Sequence, residues 1–271
     1  MKIDNLTPAI GSEIHGINLA DPDQVDRYAD DLRTILAERQ VIFFRDQVLS
    51  PDAQVRFAKV FGRVEPVSST FPAHPENPHV ELLVSQGTRT GTDIWHADLT
   101  WQKSPPAGAC LYAVEVPETG GDTMWASMTA AFNSLAPAMQ SYLRDLRAVH
   151  NWEAPALTDN LRKRDETGAL YRAIREKYAP IEQPVILEHP VTGDPVTFVN
   201  ALYTTHIRDV TSDESSALIA FLSGLAKVPE WQVRFRWRQG SVAVWDNIAT
   251  QHYAVNDYHP EPRRMHRVAI R

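Results

Sequence analysis

The sequence predicts a mainly β protein with flanking helices, and three observations carry that expectation. Beyond about residue 94, short runs of β-branched and aromatic residues recur between Pro, Gly, Asn and Asp. The 19 prolines are scattered along all 271 residues, which suits many strand ends and turns better than a helical bundle. The clearest helical periodicities, by contrast, lie near the N-terminus. A β-rich body of short strands that must enclose its chemistry fits a jelly roll of the cupin kind.

Element by element, Asp21-Pro22-Asp23-Gln24 reads as an N-cap, a proline at the first helical position and a capping-box glutamine. The helix they open carries Val25, Tyr28, Ala29, Leu32, Ile35 and Leu36 on one face. Val41-Ile42-Phe43-Phe44 is a buried strand, and Ser50-Pro51-Asp52 starts a second helix that stops at Gly62. Residues 68–92 hold three prolines, Pro72, Pro75 and Pro78, and few periodic apolar positions, so a long surface loop is expected there. Strands follow at 109–116, 185–187, 196–198, 233–237 and 242–244, with helices at 137–146 and 213–226, the latter capped by Ser212. The charged stretch 151–180 is read as a lid-like excursion. A single domain of 1–271 is expected, with helices and loops over about 1–93 and the jelly-roll core over about 94–271.

Composition narrows the partners. A net charge of −7 argues against a nucleic-acid footprint, and no apolar run reaches the length needed to span a bilayer. The alternation Arg234-Phe235-Arg236-Trp237-Arg238 is read as a strand with one charged and one aromatic face. One cysteine, Cys110, cannot form an internal disulfide, and the N-terminus does not resemble a secretory signal, so the cytoplasm is expected. The expected partner is a small organic anion, and the expected assembly is a homo-oligomer, dimer or tetramer.

The chemistry centres on His96-Ala97-Asp98, set between Trp95 and Leu99-Thr100-Trp101. In an extended chain, residues two apart point to the same side, so His96 and Asp98 would project together. His252, beyond the strand ending Trp245-Asp246-Asn247, supplies a third ligand. Two imidazoles and one carboxylate on one face of an ion leave positions open for a co-substrate and O2, which suits Fe(II) better than a structural zinc. Near the C-terminus, Arg263, Met265, Arg267 and Ala269 alternate with Arg264, His266, Val268 and Ile270, which puts two arginines on one face of a strand. A planar guanidinium facing the lumen can grip a carboxylate with two hydrogen bonds, whereas a solvated basic edge would do nothing. His74 and His79 read as solvated side chains, and His15, His150, His189, His206, His259 and His266 are given no metal role.

These residues resemble the taurine dioxygenase (TauD/TfdA) family. The resemblance is carried by Trp95-His96-Ala97-Asp98, Gly120-Gly121-Asp122-Thr123-Met124-Trp125, Trp245-Asp246-Asn247 with Gln251-His252-Tyr253-Ala254, and Arg263-Arg264-Met265-His266-Arg267. It runs from about Leu6 to Arg271, with 24 residues between Asp98 and Thr123 and 10 between His252 and Arg263. It implies a double-stranded β-helix core, and an Fe(II)-dependent dioxygenase that uses 2-oxoglutarate and O2 as co-substrates and releases succinate and CO2. It further implies iron on His96, Asp98 and His252, the distal carboxylate of 2-oxoglutarate on Thr123 and Arg263, and the substrate's anionic group on Arg267. Tyr203 falls where the family has a pocket aromatic, and Trp101 is a further candidate for the pocket wall. The presence of Asp98 implies hydroxylation, because halogenating relatives lack a carboxylate there. Where taurine dioxygenases place a sulfonate-binding histidine, this chain reads Phe61-Gly62-Arg63-Val64-Glu65-Pro66-Val67, so a sulfonate, alkyl sulfate or aryloxyalkanoate other than taurine is expected. Two other classes remain open on the residues alone: a non-catalytic cupin-like binding protein and a zinc hydrolase on the same ligands.

Overall fold

A computed structural model describes residues 1–67, 72–86, 93–153, 158, 165 and 167–271. The strands of its first half are β1 (Lys2–Asn5), β2 (Ser12–His15), β3 (Val41–Phe44), β4 (Ala73–His74), β5 (Asn77–Gln86), β6 (Gly108–Glu115), β7 (Thr123–Ser127) and β8 (Arg147–His150). The second half adds β9 (Ile181–Pro184), β10 (Ile186–Glu188), β11 (Pro195–Thr197), β12 (Thr204–Ile207), β13 (Gln232–Phe235), β14 (Val242–Asp246), β15 (Thr250–Ala254) and β16 (Pro262–Ile270). Helices α1 (Pro22–Arg27), α2 (Ala29–Arg39), α3 (Pro51–Ala58), α4 (Met128–Asn133), α5 (Pro137–Arg144), α6 (Ala169–Lys177) and α7 (Ser212–Gly224) flank them.

The main sheet has eight strands in the order β1-β2-β3-β14-β6-β16-β5-β4, and the three-stranded sheet β13-β7-β15 holds the segments that pack across from it. Alternation along the central strands decides what each face meets. Val41 and Phe43, Ala109, Leu111 and Ala113, Ala243 and Trp245, and Met265 face inward and pack with Trp125, Val233, Phe235 and Trp237 of the second sheet. Phe43 stacks on Phe235 with ring centroids 4.1 Å apart. The intervening residues Ile42, Phe44, Cys110, Val242, Val244, Val268 and Ile270 face outward into a second cluster with Leu32, Val55 and Phe57 of α2 and α3. Burial on both faces is why these strands read as nearly unbroken apolar runs. A third cluster lies under α4, α5 and α7.

Several boundaries differ from the sequence expectation. Residues 1–93 are more than helices and loops, because β1 to β5 all join the main sheet. The expected long loop at 68–92 contains β4 and β5, while 68–71 and 87–92 lie outside the described residues. Strand β5 leaves no clear sequence pattern because its inward positions include Glu81 and Ser85, both buried, which erases the apolar alternation. The first helix is broken at Tyr28 into α1 and α2, and α3 ends at Ala58 rather than near Gly62. The cap of α7 is Thr211, not Ser212: its hydroxyl accepts from the Glu214 amide while the Glu214 carboxylate accepts from the Thr211 amide. Helix α4, absent from the expectation, is only six residues long and too short for periodicity to reveal. Within the expected lid at 151–180, α6 is an ordinary amphipathic helix; residues 154–157, 159–164 and 166 lie outside the described residues. The arginines at 234, 236 and 238 are exposed and Phe235 and Trp237 buried, as the alternation there predicts. Among the described residues no helix is long and apolar enough to cross a membrane.

His150, at the end of β8, is fully buried, its Nδ1 2.8 Å from Thr100 Oγ1 and its Nε2 3.3 Å from Thr204 Oγ1. Burial pushes its imidazole down to about 4 from the ordinary 6.5. Between those values the unfolded chain binds a proton that the native protein refuses, so stability is complete above the unfolded value and declines as pH falls toward the folded one. Urea unfolding at pH 7.5 and 4.5 is expected to show an acid-side loss of stability that His150→Asn reduces by up to about 3 kcal/mol. An unchanged pH slope in that variant would show that His150 is not the group responsible.

Candidate metal centre and active site

His252 lies in the middle of β15, and the chain at His96 pairs with it through a single antiparallel bridge: the His96 amide donates to the His252 carbonyl at 3.1 Å and the His252 amide to the His96 carbonyl at 2.7 Å. The bridge brings the two imidazoles together, ring centroids 4.2 Å apart. The extended segment expected through Trp101 does not continue, because residues 98–101 turn, with Leu99 at φ 54°. A leucine in the left-handed region is strained and must be held there. Asn247 provides the hold: its Oδ1 accepts from the Asp98 amide at 2.7 Å, and its Nδ2 donates to the carbonyls of Asp98 and Pro106 at 2.9 and 3.0 Å. Asn247 is fixed in turn by the β14 end, where Asp246 Oδ1 accepts from the Ile248 and Ala249 amides and its Oδ2 lies 2.9 Å from His189 Nε2.

Asp98 thus meets the histidines through a turn rather than a strand. Its Oδ1 lies 3.6 Å from His96 Nε2 and 3.8 Å from His252 Nε2. All three residues are buried, and one ligand atom from each lies within 4.8 Å of the others. His96 Nδ1 is 2.7 Å from the Ile94 carbonyl, which requires the proton on Nδ1 and leaves the Nε2 lone pair free for a cation. Burial and the neighbouring His96 push the His252 imidazole down to about 3, so it too offers a neutral nitrogen. Burial opposes ionisation of Asp98, yet the Arg267 guanidinium beside it holds its carboxyl well below the usual range. Two imidazole nitrogens and an ionised carboxylate form a donor set that fits a divalent transition metal with open positions.

The two C-terminal arginines take different surroundings. On β16, Arg263, Met265 and Arg267 face inward opposite Ser85, Leu83 and Glu81 of β5. Arg263 stands against Gly121, where an added Cβ would come within 3.4 Å of its Cδ. Its Nε is buried without a hydrogen-bond partner, and no carboxylate lies within ion-pair distance of it among the described residues. Burial lowers its affinity for its proton. Nearby in sequence to Gly121, the Thr123 hydroxyl accepts from Trp237 Nε1 at 2.9 Å, which leaves its own proton free to donate. A partly buried guanidinium whose Nε is buried without a partner, and a hydroxyl with a donor to spare, each suit a carboxylate.

Arg267 is already engaged. Its Nε donates to Glu81 Oε2 at 2.5 Å and its NH1 nitrogen to Asp98 Oδ2 at 3.0 Å. Burial opposes its charge, but the two carboxylates overcome that and strengthen its hold on the proton. Tyr203 is buried with its ring 6.3 Å from that of His96, and burial, with Asp98 close by, keeps its phenol protonated. Trp101 is buried and stands edge-on to Tyr178, ring centroids 4.8 Å apart. A cleft of about 490 Å³ opens beside this group, lined by Glu81, Leu99, Trp101, Tyr178, Ala269 and Arg271 among others. Glu65 also borders it, paired with Arg63 at 2.9 Å and Arg271 at 3.5 Å.

Two residues of this constellation have roles that are not apparent from the sequence. Asn247 belongs there to a family motif and a strand-end turn, but its role is not visible, because an amide that satisfies two segments at once leaves no local signal. Glu81 is lost with the unrecognised β5; a lone acid two residues from Leu83 and opposite an arginine becomes visible only once the strand register is known.

Comparison with known proteins gives a consistent picture. Residues 2–269 match the model of the "Taurine catabolism dioxygenase TauD, TfdA family". An alpha-ketoglutarate-dependent sulfate ester dioxygenase of Pseudomonas putida is 35% identical over 96% of this chain and 86% of its own. An alkylsulfatase of Acinetobacter baylyi is 33% identical over 100% of this chain and 84% of its own. The crystal structure of a taurine dioxygenase from Burkholderia xenovorans superposes with a TM-score of 0.82 at 31% identity, covering 99% of this chain and 88% of that one.

Replacing Asn247 with Ala is expected to cost about 3 kcal/mol in denaturant unfolding, because the amide of Asp98 and two carbonyls lose buried partners together. A loss below about 1 kcal/mol would show that water replaces the side chain at no cost.

Proposed function

From the premise that the chain belongs to the taurine catabolism dioxygenase TauD, TfdA family, we propose that His96, Asp98 and His252 hold Fe(II), that Thr123 and Arg263 hold 2-oxoglutarate, and that the face of Arg267 receives the anionic group of the substrate. The activity is that of an Fe(II)- and 2-oxoglutarate-dependent dioxygenase acting on a small organic anion. When bound, the metal and co-substrate reduce O2, with 2-oxoglutarate leaving as succinate and CO2 and one oxygen atom entering a substrate C–H bond. The observation that carries the residue assignment is the pairing of an open two-histidine, one-carboxylate donor set with a partly buried arginine that has no acid partner among the described residues.

The protein's own residues supply position and charge. His96 and Asp98 are held in register with His252 by the backbone bridge and by Asn247, so the donor set is assembled before a metal arrives. Arg263 and Thr123 recognise the far carboxylate of the co-substrate and so fix the orientation of its chelating end. Tyr203, Trp101 and Leu99 wall the space beside the metal with apolar surface, which keeps water from the reacting C–H bond. The cleft beyond Leu99 and Trp101 has room for an organic group larger than that of taurine, which supports sulfate esters, larger sulfonates or aryloxyalkanoates as substrates. The chain is further assigned to the cytoplasm as a homo-oligomer, dimer or tetramer; its one cysteine is buried and reduced.

Succinate formation from 2-oxoglutarate should require Fe(II) and O2, rise with a matching alkyl sulfate or sulfonate, and vanish in His96→Ala, Asp98→Ala and His252→Ala. Turnover with Zn(II) under anaerobic conditions would instead establish a hydrolase. Arg263→Ala is expected to weaken 2-oxoglutarate binding by about tenfold or more and the primary substrate less, and Arg267→Ala to weaken the primary substrate more than 2-oxoglutarate. Equal effects on both ligands would dissolve that division.

A further inference from the structure

Glu81 is given no part in holding metal, co-substrate or substrate, yet it is one of the most costly residues in the fold to place. It is a carboxylate with 6% exposure, set on the inner face of β5 directly opposite Arg267. An acid in such a place needs a partner and a reason. The partner is Arg267, whose guanidinium bridges two carboxylates, Glu81 through Nε and Asp98 through NH1.

We propose that Glu81 is a positioning residue of the metal centre: through Arg267 it fixes Asp98 as a ligand that offers a single oxygen, and it sets the charge against which the dication binds. The proposal rests on the assignment of the metal to His96, Asp98 and His252. Because Asp98 Oδ2 is taken by Arg267, only Oδ1 faces the two imidazole Nε2 atoms. Ligation through one oxygen keeps three positions of a six-coordinate ion open, two for a chelating 2-oxo acid and one for O2; ligation through both oxygens would remove one of them. The charges also matter. Glu81, Asp98 and Arg267 sum to one negative charge, which a dication turns into one positive charge. Without Glu81 the sum before metal is zero, and the dication meets one negative charge fewer at close range.

A role in setting charge has a signature that a purely structural role lacks. In anaerobic Mn(II) titrations followed by calorimetry and by the electron paramagnetic resonance of the free ion, Glu81→Gln should raise the dissociation constant about tenfold. Arg267→Gln, which makes the cluster more negative, should bind Mn(II) at least as tightly as the wild type. The double variant restores the original sum and should return to within about threefold of wild-type affinity. If the pair matters only for packing, removing both partners gives affinity no better than Glu81→Gln, and the proposal is overturned. It is equally overturned by a Glu81→Gln constant within about twofold of wild type, well inside the effect expected for a unit charge. Should Glu81→Gln fail to fold, the same charge is removed between Arg267→Gln and the double variant, whose constants should still differ about tenfold; equality sinks the idea. Failure of the wild type to take up Mn(II) at all would overturn the metal assignment itself, and the proposal with it.

Discussion

The structure depends on a buried run of alternating charge, Glu81–Arg267–Asp98, placed where two sheets would otherwise close on an apolar core. Charge in such a place is tolerable only when each group is satisfied by another, and the three satisfy one another across two strands and a turn. This requirement explains why the register between β5 and β16 carries so much weight. A slip of β5 by one residue would turn Glu81 toward the helices and bring Val80 into the lumen, leaving Arg267 without its second acid.

The same alternation organises the rest. On β16, Met265 sits between the two arginines and joins the aromatic core of Phe43, Trp125 and Phe235, so polar and apolar layers are stacked along a single strand. The arginines differ in what the fold has given them. Arg267 has two acids; Arg263 has none within ion-pair distance among the described residues, and its orphaned nitrogen marks where an anion from outside belongs. Family membership over residues 2–269 makes 2-oxoglutarate, as proposed above, the candidate for an anion there.

Much of this is legible in the amino-acid sequence, for a physical reason. Strands buried on both faces announce themselves, as Val41–Phe44 and Val242–Val244 do, and an alternation as regular as that of residues 263–270 assigns faces by parity alone. The jelly-roll class and the sharing of one face by Arg263 and Arg267 follow from those patterns, while which way that face points does not. What stays hidden depends on contacts distant in sequence. Strand β5 carries polar residues on its inner face because it serves the site, and so it looks like a loop. The turn at 98–101 is set by Asn247, 149 residues beyond Asp98. Arg267 reads as a free grip for substrate because its partners, Glu81 and Asp98, lie 186 and 169 residues away. Local pattern reports local periodicity, and a functional site is where the two part company.

Parity along β6 has one more effect. Ala109 and Leu111 face the lumen, and Cys110 between them faces the helices, fully buried, with burial pushing its thiol up to about 12. The only sulfhydryl in the chain therefore lies on the face of the sheet opposite the proposed metal site, held protonated, and against Gln54 and apolar side chains rather than water. A catalyst that handles O2 for a living is exposed to stray oxidants whenever turnover misfires; here the most oxidisable group is shielded by strand geometry, so the working lifetime of the protein does not hang on a cellular reductant for its cysteine.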